Sequence, residues 1–158
     1  MLNETTRATI DHWVSKFPLE HKRSALIQAL MAAQEQNGGW ITRELTEAVA
    51  EYLELPQVWA HEVVSFYSMF FTQPVGRHKV NICTNISCWL NGADRIVEQA
   101  EQKLGIRLGE TTADGRVTLV REEECLAGCC GAPMMVVDGH YHENLDPEKL
   151  DRILDGLE

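Results

Sequence analysis

Positive charge is scarce in this chain and nowhere clustered: 14 Lys and Arg face 24 Asp and Glu, for a net charge of -10. That balance excludes nucleic acid as a partner, because phosphates demand grouped cations. Acidity otherwise implies only solubility and a preference for basic partner surfaces. Long apolar runs are missing too. The richest stretch, Phe66–Phe71, falls far short of the ~18 residues that read as a membrane span. The opening Met1–Trp13 carries Asn3, Glu4, Arg7 and Asp11 and lacks the apolar centre of a signal peptide. A soluble, cytoplasmic protein with no direct membrane insertion is the expectation. There is no G-x-x-x-x-G-K-[ST] phosphate loop and no G-x-G-x-x-G turn after a strand. Nucleotide chemistry, if any, belongs to another chain. No acid–base pair or activated nucleophile stands out, so no catalytic residue is assigned.

What is present divides near Pro74–Arg77, giving an expected helical part at 1–75 and a second part at 76–158. In the first part, Glu20–Gln36 places Leu26, Leu30 and Ala33 on one helical stripe, flanked by Ile27 and Met31 and stopped by Asn37-Gly38-Gly39. Thr42 is placed to cap a helix that turns Leu45, Val49, Tyr52 and Leu53 inward. Pro56 suits the first turn of the next helix, which is expected to bury Trp59, Val63, Phe66 or Tyr67, and Phe70. A further short helix fits Asn3–Lys16. The aromatic residues concentrated here pack a core or dock a partner; sequence does not separate the two.

Beyond Arg77 the period shortens. His78–Cys83 alternates as a strand, and Cys88–Leu104 reads as a helix closed by Gly105. Val117, Leu119 and Arg121 share one face of a second strand. Met134–Val137 and His140–His142 flank Asp138-Gly139, a dipeptide suited to the tight turn of a hairpin. Pro147–Leu157 closes the pattern as a helix. Strand, helix, strand, hairpin, helix is the order of a thioredoxin-like domain with a partly rebuilt first crossover. The fold class is thus α/β (α+β), a helical bundle followed by a thioredoxin-like domain.

Four of the five cysteines form two pairs, Cys83/Cys88 and Cys125/Cys129, with 36 residues between the pairs. Both pairs fall on loops at one end of the expected sheet, where four sulfurs can converge. Gly128 and Gly131 are expected to allow bends that bring amide N–H groups toward sulfur. A disulfide framework belongs to oxidising compartments, which nothing here indicates. Plant-type C-x4-C-x2-C spacing and the [4Fe–4S] run are absent, and no histidine neighbours a pair as a Rieske centre requires. Two pairs suit a [2Fe–2S] rhomb, in which each iron takes two thiolates. A structural zinc module that recruits a partner, or redox thiols, also fit these residues. Cys83/Cys88 are too widely spaced for the C-x-x-C pair of a thiol–disulfide oxidoreductase.

The segments Cys83-Thr-Asn-Ile-Ser-Cys88 and Glu124-Cys-Leu-Ala-Gly-Cys129-Cys-Gly-Ala-Pro133 resemble the two cluster motifs of the thioredoxin-like [2Fe–2S] family, which includes the E-type component of NADH-quinone oxidoreductase (respiratory complex I). The resemblance extends through Gln28–Trp40, Glu62–Phe70 and Asn144–Pro147, nearly the whole chain. It implies one [2Fe–2S] cluster held by Cys83, Cys88, Cys125 and Cys129. It implies an electron-transfer subunit that exchanges single electrons with FMN on a partner carrying the NADH site. The partners implied are that F-type FMN/NADH-binding subunit and the G-type iron–sulfur subunit of the peripheral arm. The complex would be the enzyme, lying peripheral to the plasma membrane. Equivalent subunits of NAD-linked hydrogenases and formate dehydrogenases are the alternative parents.

One departure stands out. The family often has Cys-Leu-Gly where this chain has Cys125-Leu126-Ala127, its glycine coming one place later at Gly128. Cys130 also supplies a rival to Cys129. His140 and His142, on one strand face, read as an exposed hairpin before a metal site. Pro133 sits where thioredoxin-like folds often place a cis-proline, a trans-proline in an ordinary turn being the alternative. The acidic Glu122–Glu124 reads as a solvated strand end, or as charge that hinders reduction of a neighbouring cluster.

Overall fold

A computed structural model describes residues 1–121 and 125–158. The acidic run at 122–124 lies outside the described residues. The chain divides into two compact units, Met1–Pro74 and Val75–Glu158.

The first unit is helical: α1 (Glu4–Val14), a 3-10 segment (Leu19–Ala25), α2 (Leu26–Gln36), α3 (Arg43–Tyr52) and α4 (Gln57–Phe66). Its start signals are side-chain caps. Asn3 accepts from the Thr6 N–H at 2.8 Å, and Thr42 from the Leu45 N–H at 3.1 Å, each satisfying an amide the helix leaves unpaired. Ile10, Leu26, Leu30, Ala33, Ile41 and Val49 form the sealed core. Two expectations fail here. The helix read over Glu20–Gln36 is α-helical only from Leu26. Its polar opening, Glu20 to Ser24, has no apolar stripe to bury, and His21 sits at φ -112°, outside helical geometry. The helix begun at Gln57 ends at Phe66 and buries Ala60 and Val64, leaving Phe66 78% exposed and Tyr67 at the surface. Phe70 is buried after the helix ends. Gln34 ties that returning segment down, accepting from the Phe71 N–H at 2.9 Å and donating to the Met69 carbonyl at 3.0 Å.

The second unit holds β1 (His78–Ile82), α5 (Ile86–Leu90), α6 (Ala93–Leu104), β2 (Val117–Val120), a 3-10 turn (Cys129–Gly131), β3 (Met135–Val137), β4 (His140–His142) and α7 (Pro147–Asp155). The sheet order is β2-β1-β3-β4, with β1 parallel to β2 and antiparallel to β3, and β3 antiparallel to β4. This is the expected strand, helix, strand, hairpin, helix order. Val80, Ile82, Leu119 and Met135 bury against Ile96, Leu150 and Leu154 of α6 and α7. Each such side chain removed from water stabilises the unit by about 1.5–3 kcal/mol. Asp138 (φ 48°) and Gly139 (φ 84°) make the hairpin turn with two positive φ values, the combination that matches strand twist. The Ala132–Pro133 bond is cis, as expected of this position. The helix read over Cys88–Leu104 is two helices. Asn91 leaves helical geometry and Gly92 takes φ 86°, so α5 ends at Leu90, which is 70% exposed.

Candidate metal centre

Cys83 follows β1 directly, and its N–H donates to the Met134 carbonyl at 3.1 Å, extending the β1–β3 ladder by one residue. Cys88 lies inside α5 and does not open a long helix, as its sequence position suggested. The cap of α5 is Asn85, whose side chain accepts from the Ile86 N–H at 2.8 Å. Both thiols are sealed, Cys83 at 2% and Cys88 at 1% exposure, in a small apolar cluster with Ala93 and Met134. The second pair is different. Cys125 and Cys129 are exposed, on a loop that ends in the 3-10 turn, with their sulfurs 3.7 Å apart. Ser87 of α5 links the two pairs, its Oγ donating to the Cys129 carbonyl at 3.3 Å.

Two of the thiols, Cys88 and Cys129, are raised above the ordinary thiol range. Burial pushes the Cys88 thiol up to about 11; the Met134 backbone N–H opposes this, and the neighbouring Cys83 adds to it. Cys129 is also raised, first by its hydrogen bond and charge coupling to Cys125, then by burial, Cys83 and Cys130. Cys83 acts on Cys129, and Cys129 on Cys88, so the pairs lie within electrostatic reach of each other. A cation replacing these protons removes the mutual repulsion, and its binding releases protons.

A tetrahedral metal with sulfur bonds of about 2.3 Å sets its ligand sulfurs roughly 3.8 Å apart. The 3.7 Å between Cys125 and Cys129 meets that edge without movement. Among the described residues, no group of three or more His, Cys, Asp or Glu side chains converges as a single-ion cage. Two thiol pairs, each able to take one iron of a rhomb, fit the donor set of a [2Fe–2S] centre. His140 and His142 join no such group.

The glycines do not work as expected. The backbone bend beside Cys125 is made by Ala127, at φ 61°, and its N–H points at the Cys125 sulfur at 3.3 Å. Gly128 and Gly131 have ordinary backbones and are needed for space. A Cβ on Gly128 would meet the Met134 Cε at 2.8 Å, and one on Gly131 would collide with the Glu143 side chain. Two contributors went unnoticed in sequence. The Met134 backbone serves both Cys83 and Cys88, and the Tyr141 hydroxyl donates to the Leu126 carbonyl at 2.9 Å. Strand alternation held the signal for Tyr141: His140 and His142 share one face of β4, which puts Tyr141 on the other. Ile86, Trp89 and Leu90 of α5 stand exposed on either side of Cys88 in the chain.

No helix among the described residues is long and apolar enough to cross a membrane. Residues 10–158 match the family described as thioredoxin-like [2Fe–2S] ferredoxin. The chain is 44% identical to the E-type component of NADH-quinone oxidoreductase from Rickettsia bellii over 144 residues, 91% of this chain and 86% of that one. It is 41% identical to an E-type component of the same enzyme from Rhizobium meliloti over 153 residues, 97% of this chain and 89% of the other. Among solved structures it resembles an NAD+-reducing [NiFe]-hydrogenase, with a TM-score of 0.67 at 22% identity. That likeness covers 81% of this chain and 22% of the hydrogenase chain, and concerns the fold alone. With sheet order, paired thiols and sequence in agreement, the chain belongs to the thioredoxin-like [2Fe–2S] ferredoxin family.

Proposed function

We propose that this chain is the electron-carrying subunit of an NADH-quinone oxidoreductase, with one [2Fe–2S] cluster held by Cys83, Cys88, Cys125 and Cys129. The observation that carries the reading is the pairing of the thiols at one end of the sheet, one pair already at the spacing a tetrahedral metal imposes. Relatives at 41% and 44% identity, named as E-type components of that enzyme, support the parent complex.

When bound, the cluster supplies a store for one electron at a time, exchanged with FMN on a partner that binds NADH. The chain's own residues build its surroundings. Cys83 and Cys88 sit in the apolar floor formed with Met134 and Ala93, which excludes water from one side. The Ala127 N–H faces the Cys125 sulfur at 3.3 Å, and the Met134 backbone favours the charged form of Cys88, so both stabilise negative charge on sulfur. We assign the fourth ligand to Cys129 and not Cys130, because the Cys129 sulfur lies at ligand spacing from Cys125. The part spanning 76–158 holds the cluster. The helices of 1–75, with Phe66 and Met69 exposed, serve docking. The partners are the F-type FMN/NADH-binding subunit and the neighbouring G-type iron–sulfur subunit of the peripheral arm. The chain would sit at the cytoplasmic face of the membrane through them. Enzyme activity belongs to the complex.

The test is iron, zinc and acid-labile sulfide content of anaerobically purified protein, with EPR after dithionite reduction. Two irons and two sulfides per chain, roughly, with one S = 1/2 signal are expected of a single rhomb. Zinc without sulfide or signal in folded protein would overturn the reading.

A further inference from the structure

The loop between Cys125 and Cys129 contains one peptide unit gripped at both ends. On one side, the Leu126 carbonyl accepts from the Tyr141 hydroxyl at 2.9 Å. On the other, the Ala127 N–H donates to the Cys125 sulfur at 3.3 Å. Carbonyl and N–H belong to one rigid plane and point in opposite directions, so fixing the oxygen aims the hydrogen. The plane also has reason to turn. Ala127 sits at φ 61°, a left-handed conformation that costs an L-residue about 1–2 kcal/mol. Rotating the Leu126–Ala127 peptide would relieve that cost, at the loss of both hydrogen bonds.

We propose that Tyr141 is a positioning residue: its hydroxyl holds the Leu126–Ala127 peptide in the orientation that sends the Ala127 N–H to the Cys125 sulfur, and so raises the reduction potential of the centre. This rests on the reading of Cys125 as a cluster ligand. Reduction adds negative charge that spreads onto the ligand sulfurs, and a hydrogen bond to sulfur strengthens as that charge grows. The N–H therefore favours the reduced form. Tyr141 acts through the peptide, by the hydroxyl bond to the Leu126 carbonyl. Tyr141 is 58% exposed, so its contribution is one of orientation more than of packing.

The test compares wild type with Tyr141→Phe, which deletes the hydroxyl and keeps the ring. Redox titration of the cluster-loaded full chain, followed by EPR, reads the midpoint. Hydrogen exchange of the metal-free full chain, followed by NMR, reads the Ala127 amide. The expected result is a lower midpoint, a shift of up to about tenfold in the one-electron equilibrium, or ~59 mV. Faster Ala127 exchange should accompany it, with unchanged iron content. Adding Ala127→Gly removes the strain that drives the rotation, so the double variant should regain part of the midpoint. An unchanged midpoint in Tyr141→Phe overturns the proposal. So does a lowered midpoint with unaltered Ala127 exchange, which would mean the phenol acts through space. A wild-type chain that binds no iron and sulfide overturns the functional reading instead, while the exchange comparison still decides whether Tyr141 clamps the peptide.

Discussion

The sulfurs of Cys125 and Cys129 lie 3.7 Å apart across a turn whose inner bend is made by Ala127, a residue in a conformation that glycine adopts more readily. The loop thus meets a metal's spacing demand at a local backbone cost.

The assignment of Cys129 and not its neighbour Cys130 as the fourth ligand is open to a direct test. Cys129→Ser should abolish or badly distort the visible absorption of the centre, whereas Cys130→Ser should leave it intact. The spectra of the two variants, normalised to iron content, decide the assignment, and the reverse pattern would sink it.

Ala127 is strained because its φ is positive, so relief should register as stability. Ala127→Gly is expected to stabilise the chain by about 0.5–1 kcal/mol, the left-handed cost less the backbone entropy glycine adds to the unfolded state. Ala127→Val, β-branched, should lower it by about 1 kcal/mol or more. Urea midpoints of the three proteins provide the comparison.

Space, not torsion, is what Gly131 supplies. A Cβ there would fall 2.6 Å from Cγ and Cδ of Glu143. Gly131→Ala should therefore cost about 1–3 kcal/mol by overpacking. Adding Glu143→Gly removes the opposing atoms, so a double-mutant cycle should show strong recovery. Additive losses would mean the contact is not the cause.

His78 predicts a pH dependence. Its Nδ1 meets Asp138 Oδ2 at 2.7 Å and its Nε2 the Glu158 carbonyl at 2.9 Å, so both nitrogens donate when the ring is charged. The Asp138 bond, then the carbonyl, raise the imidazole above its usual 6.5, against burial and Arg77. Burial pushes Asp138 up, but the Lys79 N–H and the His78 ring outweigh it and leave the carboxyl below its usual 3.8. A raised histidine stabilises fully below 6.5 and loses that contribution as pH rises through its folded value; a lowered carboxyl does so above 3.8 and loses it as pH falls. Both are in force between 3.8 and 6.5. His78→Phe should thus lower stability at pH values near 5, by no more than about 1 kcal/mol after solvent screening, and much less well above neutrality. Equal losses at acidic and alkaline pH would refute this.

Much of the architecture was legible because it rests on short-range signals. The Asn3 and Thr42 caps, the Asp138-Gly139 turn and the alternation in β1 each fix geometry within a few residues. Where a distant contact or a single torsion decides, reading along the chain failed. Gly92 splits one apparent helix in two, although the apolar spacing continues across it. Phe66 looks buried by periodicity, yet its helix ends there and the ring turns outward. At the cysteine site, the pairing is written in the sequence, but the expectation that both pairs lie on loops missed that Cys88 sits inside α5 and that Cys129 opens a 3-10 turn. Sequence could not say that one pair is sealed and the other open, since burial comes from Met134 packing across the sheet. For Tyr141, alternation gave the face of β4 but not the partner, since Leu126 is reached only through the fold.

The contrast between the two pairs has a consequence for damage and repair. Cys83 and Cys88 are enclosed, while Cys125, Cys129 and Cys130 face solvent. An oxidant arriving from outside meets the outer thiols first, so injury should concentrate in one surface loop. What survives is the half fixed by strand and core, and restoring the centre then requires reducing a single loop, with no need to unfold the rest.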